Sequence, residues 1–106
     1  MNFNHQLLSL LHDLELELKA QALWSEQPPT QAQLSSQVPF AADVMPFELW
    51  LQFVFITRLQ QMLEHNLPLP QSMGISPMAE VVFGEKYPKL QTILRQIDGK
   101  FAEQNT

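Results

Sequence analysis

Residues 46–63 read PFELWLQFVFITRLQQML, and this stretch decides the fold. When successive residues are placed about 100° apart, its large apolar side chains point nearly all round the axis, which is typical of a helix surrounded by other elements. Pro46 suits the first helical position because its missing N–H would have no partner there. The stretch predicts a buried central helix over about 46–65.

Three further helices are expected to pack around this centre, over about 3–24, 77–84 and 88–103. A leucine stripe at three- and four-residue steps predicts the first of them. Ser76 and Pro77 are typical of the N-cap and first residue of the second, and Pro88 opens the third. We predict an all-α four-helix bundle, formed by the whole chain as a single domain.

The connection between the first two helices, residues 25–45, is long and rich in Gln, Ser, Pro and Thr. The pair Pro28 and Pro29 cannot continue a helix. We predict a long crossover loop of about 15–20 residues, which is either a solvated strap that joins two helices or a functional or disordered segment.

The composition excludes several classes of chemistry. Without cysteine, the 106 residues contain no disulfide, thiolate metal site or cysteine nucleophile. The three glycines are isolated, whereas phosphate-binding loops need clustered glycines. A net charge of −5 argues against binding nucleic acid without a partner, because that affinity depends on Lys and Arg. The apolar run 49–56 is too short to span a membrane and the first twenty residues do not resemble a signal peptide, so a cytoplasmic protein is expected.

No spacing of polar residues indicates an active site. The histidines lack the spacing of a di-iron site and are expected at the surface; they are His5, His12 and His65. Three carboxylates of the first helix point in divergent directions and predict a solvated acidic face; they are Asp13, Glu15 and Glu17. We expect no enzyme activity, no metal and no cofactor.

Three polar residues, Glu48, Gln52 and Arg58, interrupt the apolar central helix, and a buried polar group needs a partner. Three interpretations remain open. Either these side chains form a satisfied hydrogen-bond network, or the long Arg58 stem reaches water, or Trp50, Gln52 and Arg58 line a pocket for a partner or ligand.

Two other surfaces are candidates for binding. The apolar, proline-stiffened loop Leu67, Pro68, Leu69 and Pro70 loses little entropy on binding, unless it covers the core. The last helix and the turn before it carry a locally basic set, which contains Lys86, Lys89, Arg95 and Lys100. It either contacts RNA or an acidic partner, with Lys86, Lys89 and Lys100 as the candidate contacts, or is a solvated face.

The central stretch WLQFVFI at 50–56, followed by Arg58 and by PLP at 68–70, resembles the YqcC-like family of small bacterial proteins. The resemblance implies a compact all-α bundle of unassigned function, encoded in many proteobacteria beside a tRNA pseudouridine synthase. It also implies proline where this chain has Thr57. Because proline kinks a helix and threonine bends it only mildly, a straighter helix is expected here.

These observations favour a non-enzymatic protein-interaction or accessory module. The partner implied by the resemblance is a tRNA pseudouridine synthase, with self-association as another candidate. The alternative is a helical bundle that binds a small molecule in an apolar pocket near the central helix.

Overall fold

The computed structural model describes residues 3–68 and 74–104, and in these ranges the chain forms helices and no strand. Its elements are α1 (Phe3–Ala20), α2 (Gln31–Leu34), a 3-10 turn (Pro39–Ala41), α3 (Phe47–Trp50), a π-helical segment (Leu51–Ile56), α4 (Thr57–Glu64), α5 (Ile75–Phe83) and α6 (Pro88–Gln104). Helix α3, the π-helical segment and α4 follow one another directly, and we call residues 47–64 the central helix. The predicted all-α fold is confirmed. In the described ranges, no helix has both the length and the apolar character to cross a membrane.

Helix α1 ends at Ala20, earlier than the leucine pattern predicts, because a Schellman motif turns the chain there. The Leu23 N–H donates to the Leu18 carbonyl at 2.8 Å, and the Ala22 N–H donates to the Lys19 carbonyl at 3.1 Å. Ala22 has φ of 60°, a conformation that glycine usually supplies. An alanine at this position gives no sign of a helix end in the sequence.

The core lies between α1, the central helix, α5 and α6. It contains an apolar cluster that includes Leu7, Leu11, Leu14, Leu18, Leu51, Phe55, Leu59, Ile75, Leu90, Leu94, Ile97 and Phe101. On its other side the central helix leaves Trp50, Phe53 and Val54 partly exposed. The helix is therefore not enclosed on all sides as predicted, and the segment 25–45 lies along the open side.

Helix α5 begins at Ile75, two residues before the predicted start, because a side chain from α6 caps it. The Asp98 carboxylate accepts hydrogen bonds from the backbone N–H groups of Ile75, at 3.2 Å, and Ser76, at 2.7 Å. Pro77 lies within the first turn, where its missing N–H leaves no hydrogen bond unmade. The cap is thus a tertiary contact and not the Ser76 hydroxyl.

The segment 25–45, which we call the crossover segment, connects α1 to the central helix as predicted and has structure of its own. Helix α2 begins with a capping box in which Thr30 and Gln33 exchange side-chain and backbone hydrogen bonds. The Gln33 amide also donates to the Val44 carbonyl at 3.0 Å, and the Ser36 hydroxyl donates to the Asp43 carboxylate at 2.7 Å. These bonds fold the segment back on itself.

Candidate functional site

A pocket of about 390 Å³ lies between the crossover segment and the open side of the central helix. We call it the crossover pocket. The central helix lines it with Trp50, Phe53, Val54 and Arg58. The crossover segment supplies the opposite wall, which consists of Gln33, Leu34, Ser36, Val38, Phe40, Ala41 and Met45. Its volume falls within the usual range of ligand-binding clefts.

One wall of the crossover pocket is built from strained backbone. Phe40 and Ala41 have φ of 60° and 50°, in the left-handed region that costs a non-glycine residue about 1 kcal/mol or more. The Phe40 ring packs edge-on against the rings of Trp50 and Phe47, with centroids 4.9 and 5.8 Å apart. Such aromatic contacts offset the strain. Backbone strain of this kind clusters at functional sites.

Among the residues that the structure describes, Arg58 is the only charged one that lines the crossover pocket. Its side chain is exposed, and it makes no hydrogen bond or ion pair with any residue that the structure describes. The Trp50 indole N–H likewise has no hydrogen-bond partner within residues 3–68 and 74–104, and it is not sealed from solvent. The pocket therefore combines aromatic walls with a guanidinium that is available to an anion.

Gln52 does not line this pocket. It is two residues from Trp50, hence about 200° away around the helix. Its Oε1 accepts a hydrogen bond from the Ser25 N–H, and its Nε2 donates to the Ser25 carbonyl, both at 2.8 Å. The structure separates Gln52 from Trp50 and Arg58, and makes it a buried clamp on the start of the crossover segment.

The central helix is π-helical over Leu51–Ile56, just before Thr57. Thr57 is the position at which the family resemblance implies proline. The Thr57 hydroxyl donates to the Gln52 carbonyl, five residues earlier, at 3.3 Å. A π turn contains an additional residue and shifts the residues that follow it around the axis. The central helix thus contains a widened turn before Thr57, which sets the position of Arg58 relative to Trp50.

The basic residues near the last helix do not form one open patch. The Lys89 ammonium lies 3.8 Å from the carboxylate of Glu17, and Lys100 donates to the Gln6 side chain at 2.9 Å. Both lysines therefore face α1, while Lys86 is exposed in the turn before α6. Glu17 is buried, which corrects the prediction that it belongs to a solvated acidic face.

The proline-rich loop is described only at its start. The Leu67 N–H donates to the Met62 carbonyl at 2.9 Å and so belongs to the turn that ends the central helix. Leu67 and Pro68 are exposed. Leu69 and Pro70 lie outside the described residues.

The histidines are at the surface. His5, His12 and His65 are exposed, and His5 lines a separate cavity of about 720 Å³ between α1 and α6. Across residues 3–68 and 74–104, no group of three or more His, Asp or Glu side chains could hold a metal ion.

Sequence reasoning missed most of the pocket lining. Phe53 and Val54 were available from helical spacing, because they lie one turn from Trp50 and Val54 lies one turn before Arg58. The residues of the crossover segment gave no such signal, since their approach to the helix depends on the fold of α2 and the 3-10 turn.

Comparison with known proteins places the chain in a family. The uncharacterized protein YqcC of Escherichia coli is 31% identical over 88 residues, which are 83% of this chain and 81% of that protein. The family model DUF446, described as tRNA pseudouridine synthase C, matches residues 6–100. The chain belongs to the YqcC-like family. The solution NMR structure of E. coli YqcC is 28% identical, covers 97% of this chain and 91% of its own, and has a TM-score of 0.85, so this YqcC-like chain has the same fold.

Two further relatives differ in how much of their length is matched. An uncharacterized protein of Haemophilus influenzae is 38% identical over 84 residues, which are 79% of this chain and 78% of the relative. The tRNA pseudouridine synthase C of Pectobacterium carotovorum is 36% identical over 72 residues, which are 68% of this chain and 19% of that protein. In the Pectobacterium protein, a YqcC-like segment is one part of a much longer chain.

Proposed function

We propose that this YqcC-like protein is a non-catalytic accessory module that binds a tRNA pseudouridine synthase. The observation that carries the proposal is the Pectobacterium protein, in which a segment similar to this chain makes up 19% of a tRNA pseudouridine synthase C. Fusion holds two modules at high effective concentration, which is useful when the separate modules act together. We assign the synthase chemistry to the unmatched part of that protein. We assign a cytoplasmic location to the present protein, because the tRNA substrate of the synthase is found there.

The surface supports a protein partner. Exposed apolar side chains occur on α5, where Val81 is 81% exposed and Val82 43%, and along the crossover segment at Leu34, Val38 and Val44. A second cavity of about 200 Å³, between α5 and the crossover segment, shares Phe40 and Met45 with the crossover pocket. Apolar surface therefore continues from α2 to α5, and exposed surface of this kind marks sites of protein association.

A direct test uses this protein and the tRNA pseudouridine synthase of the same organism, purified separately. Isothermal titration calorimetry should give a complex with a Kd of about 1 μM or tighter. Added protein should also raise the rate at which the synthase converts uridine to pseudouridine in tRNA, measured by mass spectrometry, and should convert none alone. A pseudouridine synthase of another class is the specificity control. Absence of a complex together with an unchanged rate would refute the proposal.

The alternative function, binding of a small molecule, is favoured by one observation. The crossover pocket has the volume of a ligand site and aromatic walls around a cation. In that case a copurified compound should be released on denaturation of protein purified from its own cells, and mass spectrometry would identify it.

A further inference from the structure

We propose that the crossover pocket binds an acidic peptide segment of the protein partner, with a carboxylate on Arg58 and a bulky apolar side chain against Trp50 and Phe53. This inference rests on the proposed function, because it names the surface and the partner chemistry through which the accessory module acts.

Charge complementarity indicates the sign of the occupant. The chain carries a net charge of −5, yet the only charged residue that lines this pocket, among those described, is a cation. Arg58 has no ion-pair or hydrogen-bond partner in the part of the chain that the structure describes. A guanidinium presents several N–H donors in a plane and pairs well with a carboxylate. An acidic side chain of the occupant would therefore supply the ion-pair partner that the Arg58 guanidinium lacks within the described residues.

The apolar lining indicates a second feature of the occupant. Beside Arg58 stand Trp50, Phe53 and Val54, all partly exposed on the open side of the central helix. Partly exposed aromatic side chains with an arginine are the residue types that dominate binding energy at protein interfaces. A carboxylate alone would leave these apolar side chains in contact with water, so the occupant also carries a large apolar side chain that covers them.

The surroundings of the pocket favour a peptide over a nucleic acid. Leu34 and Val38 of the pocket wall are exposed, and exposed Val44 adds apolar surface on the same segment outside the lining, so a longer apolar occupant gains contacts there. A nucleic acid brings a phosphate at every nucleotide, whereas this site offers one arginine in an acidic protein.

The first experiment records two-dimensional ¹H–¹⁵N NMR spectra of the full-length protein with two blocked pentapeptides. One is Asn-Leu-Phe-Asp-Asn, which carries a single carboxylate, and its neutral counterpart has Asn in place of the Asp. The Trp50 indole reports on the pocket, and the Trp24 indole is an internal reference, because its ring lies at Lys19, away from the pocket lining. The acidic peptide should shift the Trp50 signal with a Kd of about 1 mM, typical of a short flexible ligand, and leave Trp24 unchanged.

Matched variants identify the cation. Arg58→Gln and Arg58→Glu should weaken binding of the acidic peptide about tenfold or more. Arg95→Glu makes the same charge change at an exposed residue of α6 and should leave binding unchanged. An equal response to the neutral peptide, no response at about 5 mM acidic peptide, or a response only to uridine 5′-monophosphate would each overturn the proposal.

A second experiment separates this inference from the proposed function. The synthase is titrated with the native protein, with Arg58→Glu and with Arg95→Glu. If all three bind equally, the partner is correct and the pocket is not its site. If the acidic peptide binds through Arg58 but the synthase does not bind at all, the pocket stands and the proposed partner is wrong.

Discussion

Replacement of Gln52 by alanine tests whether this residue is a structural clamp or a binding residue. The side-chain amide makes two hydrogen bonds of 2.8 Å to the backbone of Ser25. Among the residues that the structure describes, no other part of the crossover segment before α2 is hydrogen-bonded to the central helix. The substitution leaves one N–H and one carbonyl of Ser25 without these partners. We therefore expect a loss of stability with little direct effect at the crossover pocket.

The size of the loss follows from the contacts. Each hydrogen bond contributes about 1 kcal/mol net, and the buried methylene of the side chain adds about 0.8 kcal/mol. Ser25 is half-buried, so water partly replaces its lost partners. The expected decrease in the free energy of unfolding is about 2 kcal/mol, which lowers the Tm of a domain of this size by roughly 10 °C.

Urea denaturation followed by circular dichroism measures this quantity. The matched control is Gln61→Ala on the same helix, because Gln61 is exposed and its side chain makes no hydrogen bond within the described residues. The control should change stability by less than about 0.5 kcal/mol. Gln52→Glu should cost at least as much as the alanine variant, since a carboxylate oxygen would face the Ser25 carbonyl. Equal stability of the Gln52→Ala and Gln61→Ala proteins would refute the clamp.

Three further substitutions test other contacts by the same urea denaturation. Asp98→Ala should lower stability by about 1–2 kcal/mol, because it removes the carboxylate that caps the first turn of α5. Ala22→Gly should raise stability by about 0.5–1 kcal/mol by relieving a positive φ, whereas Ala20→Gly, at the last residue of α1 and without a positive φ to relieve, should lower it by up to about 0.5 kcal/mol. Lys89→Ala should change it by less than about 0.5 kcal/mol, because this lysine is 78% exposed and its nitrogen is 3.8 Å from Glu17.

Each of these expectations has an outcome that contradicts it. An unchanged Asp98→Ala protein would mean that water caps α5 equally well. Loss of stability in both the Ala20→Gly and Ala22→Gly variants would contradict the Schellman end of α1. A loss above about 1 kcal/mol for Lys89→Ala would show that the ion pair with Glu17 is stronger than its exposure allows.

The all-α fold could be predicted because it depends on local periodicity. Leucines at helical spacing mark the buried face of α1, and proline marks the start of α6. These signals lie within the helix that they predict. The bounds of α1 and α5 could not be found in this way, since Ala22 adopts a conformation typical of glycine and Asp98 caps α5 from another helix.

The candidate site was predictable only in part, for the same reason. Trp50 and Arg58 stand out in the sequence as an aromatic and a charge on an apolar helix, and the structure brings both to one pocket. Gln52 stands out equally, but a regular helix already places it about 200° from Trp50. What no local rule supplies is the opposite wall, because Phe40 reaches Trp50 only through a left-handed backbone.

The crossover pocket depends on contacts that hold the crossover segment against the central helix. Gln52 holds the start of the crossover segment at Ser25, and the Phe40 ring holds its second half against Trp50. The strained backbone at Phe40 is retained only while that ring contact persists, since a free segment would relax to negative φ. An occupant that contacts Trp50 from the pocket side therefore also stabilises the ordered crossover segment. Loosening the clamp with Gln52→Ala should then weaken binding of the acidic peptide by less than about tenfold, through order and not through contact, whereas Arg58→Glu should abolish binding without lowering the Tm.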